Sequence, residues 1–177
     1  MARSMHDFYP TTETSAIDTL IKYWDIPKKS KIFECCYGQG HISKRLKAIG
    51  FENVRIGDIQ DDQNYFDATD PHYWNLLSCD YSITNPPFNL AHEIIPLAYE
   101  YSPLGIAMLL RLSYLEPCHN RANWLQDHPI SKLISVPKIS FTGDGDTDQV
   151  STAWFVWDKR SQKQEIIVVP PLKIWKY

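Results

Sequence analysis

The chain of 177 residues has a formal net charge of −3, with 44% hydrophobic and 22% charged residues. This length and ordinary globular composition predict a single domain over residues 1–177. The charge excludes a global basic surface that would attract nucleic acid, and no apolar stretch reaches the roughly 20 residues of a membrane span. Since no signal-peptide pattern opens the sequence, we expect a cytoplasmic protein with no membrane partner.

The first half of the chain alternates between helical patterns and short apolar runs. Apolar residues at helical spacing predict a helix over residues 13–24, and a buried strand is predicted over residues 31–37. Gly38 and Gly40 follow this strand and lead into a second predicted helix. Residues 54–59 are predicted to form the next strand.

The second half of the chain continues this alternation. The predicted strands span residues 81–84, 105–112, 132–136 and 151–157, a last apolar segment spans residues 165–169, and helices are predicted over residues 90–101 and 120–126. The run over residues 105–112 is almost continuously apolar, which is typical of a parallel strand covered on both faces. The whole pattern predicts an α/β fold, a mostly parallel sheet with helices on both faces.

The glycine turn and a later acid together describe a nucleoside site. Gly38 and Gly40 let a ligand approach the backbone between a strand and a helix. Asp58 follows Gly38 at the spacing of about 20 residues at which an acid binds the hydroxyls of a ribose. Ser43 replaces the third glycine of a dinucleotide fingerprint, so a ligand with a ribose and no pyrophosphate fits better. A tight turn without a ligand is the alternative.

Asn85-Pro86-Pro87-Phe88 follows the predicted strand 81–84 and is the more specific motif. Its two prolines stiffen a turn that presents the Asn85 amide oxygen and the Pro86 carbonyl as acceptors. Two such acceptors suit a planar amino group, because they bind its two hydrogens and free its nitrogen lone pair to attack a methyl sulfonium. Phe88 can stack on the base that carries this nitrogen. The alternative is a turn that ends a strand and places Phe88 in the core.

These motifs resemble those of the amino-methyltransferase family of S-adenosylmethionine enzymes, especially its DNA adenine-N6 members. Glu34, Gly38 and Gly40 match the family's acidic-x-x-x-Gly-x-Gly motif. Residues 85–88 match its (Asp/Asn)-Pro-Pro-(Tyr/Phe/Trp) motif, and Asn85 argues against the serine-containing cytosine-N4 members. The resemblance covers most of the chain. It implies a Rossmann-like class I methyltransferase fold with an antiparallel strand near the C-terminus and S-adenosyl-L-methionine as the cofactor.

The resemblance also implies a cofactor site. Its members are Tyr9, Thr11, Glu34, Gly38, Gly40, Asp58, Asp67 and Asn85. By similarity, Asp58 matches the ribose-binding acid and Asp67 matches the residue that meets the cofactor adenine. Residues 7–11 resemble the segment that closes over the methionine end of the cofactor.

The acceptor site is predicted to involve Phe88, Arg111, Lys138 and Phe141. Lys138 and Phe141 precede a polar loop that we expect at the rim of the site, where they would meet a flipped nucleotide; a solvated turn is the alternative. Asp144, Asp146 and Asp148 alternate as in a calcium loop. Gln149 and Phe155 replace the glycine and glutamate that such a loop requires, so no metal is expected.

The predicted reaction is methyl transfer from S-adenosylmethionine to the N6 of adenine in DNA. The alternatives are an amino nitrogen in RNA, a protein glutamine, or a noncatalytic cofactor-binding subunit. Only residues 71–82 separate the cofactor half from the catalytic half, and about 20 residues follow Trp157, so a target-recognition domain of the DNA members is not expected. We therefore expect unpaired strands as acceptors and a partner subunit that supplies target recognition, in a prokaryotic cytoplasm or the host cytoplasm of a virus.

Overall fold

The computed structural model describes residues 14–136 and 151–170. Its helices are α1 (Thr14–Tyr23), α2 (His41–Ala48), α3 (Pro71–Asn75), α4 (Ala91–Tyr101) and α5 (His119–Asp127), with a 3-10 turn at Leu112–Leu115. Its strands are β1 (Lys31–Glu34), β2 (Asn53–Ile56), β3 (Tyr81–Thr84), β4 (Gly105–Arg111), β5 (Lys132–Ser135), β6 (Thr152–Asp158) and β7 (Glu165–Ile167). None of the helices in these ranges is long and apolar enough to cross a membrane.

The strands of the described residues form one sheet in the order β2-β1-β3-β4-β6-β5-β7. Strand β6 runs antiparallel to its neighbours β4 and β5, and the other pairs are parallel. This arrangement confirms the predicted mostly parallel sheet with an antiparallel strand near the C-terminus. Strands β1 to β4 all end at one side of the sheet, which we call its carboxyl end, and begin at the other, which we call its amino end.

Apolar residues fill a layer on each face of the sheet, as predicted. The first apolar cluster lies under α1 and α2 and includes Ile17, Leu20, Trp24, Ile42 and Leu46. The second apolar cluster lies under α3 and α4 and includes Trp74, Ile94, Ile95 and Ala98. Strand β4 contributes Ala107 and Leu109 to the first cluster and Met108 and Leu110 to the second. Because both faces of β4 are covered, its sequence is almost continuously apolar.

Most predicted elements lie where the apolar patterns placed them, and β3 has its predicted bounds. Strand β1 ends at Glu34, three residues before its predicted end, because the chain turns toward α2 there. Strand β2 ends at Ile56 rather than at residue 59, because Asp58 pairs with Tyr65 in an isolated bridge instead. Both corrections shorten a strand where its apolar run continues into a loop.

Helix α3 lies in the segment 71–82, where the sequence pattern indicated only a connection. The Asp70 side chain caps this helix by accepting the His72 N–H at 2.8 Å, and Pro71 occupies its first turn. Trp74 is fully buried beneath it. A helix of five residues is too short to show a helical period in its sequence.

Asp158 ends β6 at the amino end of the sheet and is buried. Its carboxylate accepts hydrogen bonds from Trp24 Nε1 at 3.0 Å and from Arg160 Nε at 2.8 Å. Burial alone raises the pKa of Asp158, but the hydrogen bonds from Arg160 and Trp24 outweigh it and hold the pKa below its usual value. At the amino end of the sheet the Asp158 carboxylate is therefore paired with the Arg160 guanidinium.

A cleft of about 580 Å³ also lies at the amino end of the sheet. Its lining includes Tyr99, Ser131, Trp157, Lys159 and residues 161–164. This cleft shares no residue with the two sequence motifs, which lie at the opposite end.

Candidate functional site

The turn between β1 and α2 requires its two glycines. Gly38 and Gly40 have φ angles of 49° and 74°, in the left-handed region that side chains disfavour. A Cβ atom on Gly40 would lie 3.3 Å from Ser43 Oγ and 3.3 Å from the Tyr37 ring. The Gly40 N–H donates to the Tyr37 carbonyl at 2.7 Å and closes the turn. Neither glycine carries a side chain, as close approach of a ligand to the backbone before α2 requires.

Glu34, a predicted cofactor residue, ends β1 and is only 1% exposed. Its Oε2 accepts the Ser43 N–H at 2.9 Å, in the first turn of α2. Burial raises the pKa of Glu34 to about 8, in spite of this hydrogen bond. The contact that the structure shows for Glu34 is therefore an internal one, which holds the start of α2 against the end of β1.

Asp58 lies beside the glycine turn, as its spacing in the sequence predicted. Its Oδ2 accepts the Gly38 N–H at 2.9 Å, and its Oδ1 accepts the Gln60 N–H at 2.9 Å. These bonds orient the carboxylate, and each of its oxygens keeps a second lone pair. A partly exposed carboxylate held in this way is able to accept the hydroxyl hydrogens of a ribose.

A bridge between Asp58 and Tyr65 brings Asp67 to the same end of the sheet. The Asp58 carbonyl accepts the Phe66 N–H at 3.1 Å, and the Phe66 ring belongs to the second apolar cluster. Asp67 Oδ1 accepts the N–H and the hydroxyl of Thr69 at 2.9 and 2.7 Å. The two acids predicted for the cofactor are thus neighbours in space, anchored by the buried ring between them.

Gly57 is a residue of this site that the sequence analysis missed. A Cβ atom at this position would lie 2.6 Å from Phe66 Cβ and 2.9 Å from the Phe33 ring. Any larger residue would displace Phe66 and with it the bridge that follows Asp58. The signal in the sequence is a glycine directly before the acid that follows an apolar strand.

The loop after β2 is tied to the glycine turn by a contact that the sequence analysis also missed. Hydrogen bonds from the Asn64 and Tyr37 side chains lower the pKa of Asp61 to about 2. The same contact with Asp61 raises the pKa of Tyr37.

In this loop Ile59 and Tyr65 are 40% and 48% exposed, which is high for large apolar side chains. The signal in the sequence for these exposed side chains is Ile59, an apolar residue directly after Asp58, the predicted ribose-binding acid.

The Asn85 motif lies beside the glycine turn, because β1 and β3 are adjacent parallel strands. The Thr84 hydroxyl donates to the Cys36 carbonyl at 3.4 Å and links the two turns. The Leu90 N–H donates to the Pro87 carbonyl at 3.0 Å and closes the second turn before α4. The side-chain oxygen of Asn85 is buried. The structure therefore brings together two motifs that are far apart in the sequence, since Thr84 and Cys36 are separated by 48 positions.

Phe88 and Arg111, both predicted for the acceptor site, are in contact. In the parallel ladder Thr84 lies beside Met108, so Arg111 lies level with the turn that follows β3. The guanidinium carbon of Arg111 is 4.7 Å from the centroid of the Phe88 ring. Phe88 is half-buried and also packs against the second apolar cluster.

Some predicted residues lie outside the described residues. They are Tyr9, Thr11, Lys138, Phe141 and the three aspartates Asp144, Asp146 and Asp148. The other predicted site residues all lie at the carboxyl end of the sheet, namely Glu34, Gly38, Gly40, Asp58, Asp67, Asn85, Pro86, Pro87, Phe88 and Arg111.

No family model and no curated protein sequence matches the chain. Solved structures do match it. A Listeria monocytogenes protein described as a candidate class I S-adenosylmethionine-dependent methyltransferase superposes with a TM-score of 0.66 at 13% identity, over 99% of this chain and 69% of that one. The methyltransferase subunit of a type I restriction-modification system from Streptococcus thermophilus gives a TM-score of 0.64 at 12% identity, over 94% and 48%.

A Pyrococcus horikoshii protein described as a candidate RNA methyltransferase gives a TM-score of 0.59 at 12% identity, over 82% of both chains. The chain thus spans about half the length of the restriction-modification subunit and most of the length of the Pyrococcus protein. These similarities confirm the predicted Rossmann-like class I methyltransferase fold. At such identities the likeness is one of fold.

Proposed function

We propose that the protein transfers a methyl group from S-adenosylmethionine to an exocyclic amino nitrogen, and that its acceptor is the N6 of adenine in DNA. One observation carries this proposal. The unit formed by Gly38 and Asp58 lies beside the Asn85 turn, and the hydrogen bond from Thr84 to Cys36 joins them. A nucleoside bound by the first unit and an amino group bound by the second would be held next to each other, as transfer between two ligands requires.

The residues around Asp58 suit S-adenosylmethionine in charge and in hydrogen-bonding capacity. The oriented carboxylate of Asp58 would hold the ribose hydroxyls, and Asp67 would face the adenine of the cofactor. When bound, S-adenosylmethionine supplies a methyl group on a positively charged sulfonium. Asp58, Asp61, Asp62 and Asp67 lie on the segment that follows β2, and these carboxylates favour a cationic ligand.

Asn85 and Pro86 act on the acceptor in this proposal. The side-chain oxygen of Asn85 and the carbonyl of Pro86 accept the two hydrogens of the amino group, which withdraws its lone pair from the ring and makes the nitrogen nucleophilic. Because the Asn85 oxygen is buried, its hydrogen bond is stronger than it would be in water. The Phe88 ring orients the acceptor by stacking.

Adenine in DNA is the acceptor that the Asn85 motif favours, by its resemblance to the adenine-N6 members. The Streptococcus neighbour is a methyltransferase subunit of a restriction-modification system, which supports a DNA acceptor and a partner subunit for target recognition. A base must leave its stack to reach such a turn, at a few kcal/mol, and this is least for an unpaired strand. We therefore propose single-stranded DNA as the preferred substrate of the chain on its own.

An amino nitrogen in RNA is the second candidate acceptor. The neighbour described as an RNA methyltransferase matches this chain over most of both lengths. The acceptors of the Asn85 turn would bind only the amino group of a substrate, and RNA bases and glutamine side chains also carry such a group. A noncatalytic cofactor-binding subunit retains the same fold and remains the alternative from another class.

Transfer of a labelled methyl group tests the proposal. The purified chain is incubated with labelled S-adenosylmethionine and, separately, with single-stranded DNA, duplex DNA, RNA and protein, and the nucleic acids are digested to nucleosides. We expect label in N6-methyladenine from single-stranded DNA, and none with Asn85→Ala, which should still bind the cofactor. Label confined to RNA or protein would replace the acceptor, and cofactor binding without any transfer would support the noncatalytic alternative.

A further inference from the structure

Strand β7 is an edge strand whose apolar side chains alternate between the two faces of the sheet. Ile167 and Val169 are half-buried and pack against the first apolar cluster. Ile166 and Val168 lie on the opposite face and are 79% and 80% exposed. They are the most exposed large apolar side chains of the described residues. Both therefore lie on one face of a strand at the edge of the sheet.

The backbone of β7 has hydrogen-bonding groups that no described strand uses. The Glu165 N–H donates to the Ser131 carbonyl at 2.9 Å, directly before β5. The Val169 N–H donates to Ser135 Oγ at 2.8 Å, at the end of β5. Because backbone groups alternate in direction along a strand, those of the two exposed residues point away from β5. Among the described residues no strand lies on that side.

The other edge strand of the described sheet, β2, differs in chemistry. Its exposed residues are Asn53 and Arg55. Polar and charged side chains on an edge strand discourage pairing with another chain. Between Glu165 and Pro170, in contrast, every residue is Ile or Val. The β7 edge therefore lacks the protection that the β2 edge has, and a strand from another chain can add to it.

A second copy of β7 fits this edge in one antiparallel register. In a pair centred on Ile167, Ile166 lies opposite Val168 of the second copy, so the exposed apolar side chains meet. The outward N–H and C=O groups of both residues are then all used in hydrogen-bonded pairs. A register centred on Val168 would place Ile166 opposite Pro170, which has no N–H. A register centred on Ile166 would place Val168 opposite Gln164, which is polar.

We propose that two copies of the chain pair through β7 in the register centred on Ile167. The contact is the same surface on both copies, so it closes as a dimer, and the polar β2 edge offers no route to a longer assembly. Strand β7 runs in the same direction as β4, because β6 is antiparallel to β4 and β5 and β7 is parallel to β5. Antiparallel pairing therefore points the carboxyl ends of the two sheets in opposite directions. The inference goes beyond the proposed function and does not depend on it.

Sedimentation velocity of the full chain tests the dimer. Because the paired strands are short, we expect a weak monomer–dimer equilibrium that shifts toward the dimer between roughly 1 and 300 µM. Ile166→Lys should weaken the association at least about tenfold, since it places a charge opposite an apolar side chain. The matched control is Leu76→Lys, at a leucine that is 74% exposed at the end of α3. It should associate as the wild type does.

Disulfide cross-linking tests the register. Ile166→Cys and Val168→Cys chains are each made with Cys118→Ser, because Cys118 is an exposed free cysteine. The two chains are then oxidised separately and as a mixture. A hydrogen-bonded pair has Cα atoms about 5.5 Å apart, which a disulfide can span. Equal positions of the two copies lie diagonally at roughly 7–8 Å, which is too far. Mass spectrometry should therefore find the linked heterodimer in the mixture and little linked homodimer from either chain alone.

A wild type that stays monomeric over the whole concentration range would overturn the inference and leave the edge to a different protein. A dimer that persists in Ile166→Lys would also overturn it, because another surface would then hold the copies together. Equal cross-linking of each variant with itself would contradict the register. Urea unfolding of Ile166→Lys should match that of the wild type, which shows that loss of the dimer is not loss of the fold. None of these results measures methyl transfer, so failure of this inference is distinct from failure of the proposed function.

Discussion

Two buried carboxyl groups, Glu34 and Asp158, lie at opposite ends of the same sheet and differ in their partners. Asp158 at the amino end accepts hydrogen bonds from Arg160 and Trp24, and its pKa is lowered. Glu34 at the carboxyl end accepts a backbone N–H, forms no ion pair with Lys or Arg among the described residues, and has its pKa raised by burial. The carboxyl charge at the amino end is therefore kept and paired with a cation, whereas burial at the carboxyl end favours the uncharged form of Glu34.

This difference is consistent with the ligand site that we propose at the carboxyl end of the sheet. At the amino end the Asp158 carboxylate is paired with Arg160 and bound by Trp24, so these contacts stabilise the chain. At the carboxyl end the carboxylates of Asp58 and Asp67 accept hydrogen bonds from N–H and hydroxyl groups of the chain, and neither forms an ion pair with Lys or Arg among the described residues. Each of the following predictions changes a residue at one end of the sheet and should leave the other end unaffected.

The largest expected effect is that of Asn85→Ala on methyl transfer. Removal of one acceptor from a water-poor site lowers a rate by about 100- to 1,000-fold, or about 2.7–4 kcal/mol. Asn85→Asp keeps an acceptor oxygen and should retain measurable transfer. Single-turnover rates and calorimetric S-adenosylmethionine affinities are measured for both variants. If Asn85→Ala transfers the methyl group as fast as the wild type, Asn85 only stabilises the turn and takes no part in transfer.

Asp58→Ala should weaken the binding of S-adenosylmethionine about 10- to 100-fold, because the ribose hydroxyls lose a charged acceptor worth about 1.5–3 kcal/mol. Isothermal calorimetry measures the affinity. Asp58 also accepts the Gly38 N–H, so Asp58→Asn is the matched variant that keeps an acceptor for this bond. Unchanged affinity in a folded Asp58→Ala protein would remove Asp58 from the cofactor site.

Asp158→Ala should lower the free energy of unfolding by about 2 kcal/mol, because it removes the acceptor of the Arg160 Nε–H and of the buried Trp24 N–H. The value is below that of a fully buried ion pair, since the Arg160 side chain is about one-third exposed. Urea unfolding measures the loss, and Asp158→Asn should lose less. S-adenosylmethionine affinity should not change at a temperature where both proteins are folded; a large change would mean that the two ends are coupled.

Glu34→Gln should have the smallest effect at pH 6, where the wild-type carboxyl is protonated and glutamine has a similar shape. The pKa of Glu34 is about 8 in the folded protein, whereas its ordinary value of 4.5 applies to the unfolded chain. Between pH 4.5 and about 8 the folded state therefore binds more protons than the unfolded state. Wild-type stability should therefore be complete below pH 4.5 and fall as the pH rises to about 8, by at most about 1.4 kcal/mol per pH unit.

Urea unfolding of both proteins at several pH values checks this prediction. The fall attributable to Glu34 should be absent from Glu34→Gln, while titration of other groups contributes equally to both. Parallel curves for the two proteins would show that Glu34 is already ionised in the folded state at neutral pH.

Local patterns were enough to predict the strands and the neighbourhood of the two motifs. Asn85 comes directly after an apolar strand, so its location at a strand end follows from the sequence itself. The pairing of Gly38 with Asp58 follows from a spacing that one helix between two strands imposes. In both cases the information lies within about 20 residues.

Contacts between distant segments could not be predicted in this way. The partner of Glu34, the bond from Tyr37 to Asp61 and the stacking of Arg111 on Phe88 depend on packing and register in three dimensions. Glu34 illustrates the difference. Its position in a motif suggested a ligand contact, whereas the structure shows its carboxyl turned to the backbone of α2.

The position of β6 between β4 and β5 determines the order in which the two halves of the site can assemble during synthesis. The glycine turn and the segment with Asp58 and Asp67 use residues up to 67 and can form while the chain is still on the ribosome. Strand β4 lacks its second neighbour until residues 152–158 have emerged, and the backbone of Arg111 is set only by Thr152. A nascent chain can therefore complete the proposed cofactor-binding segments first and the end of β4, with the proposed acceptor residue Arg111, last.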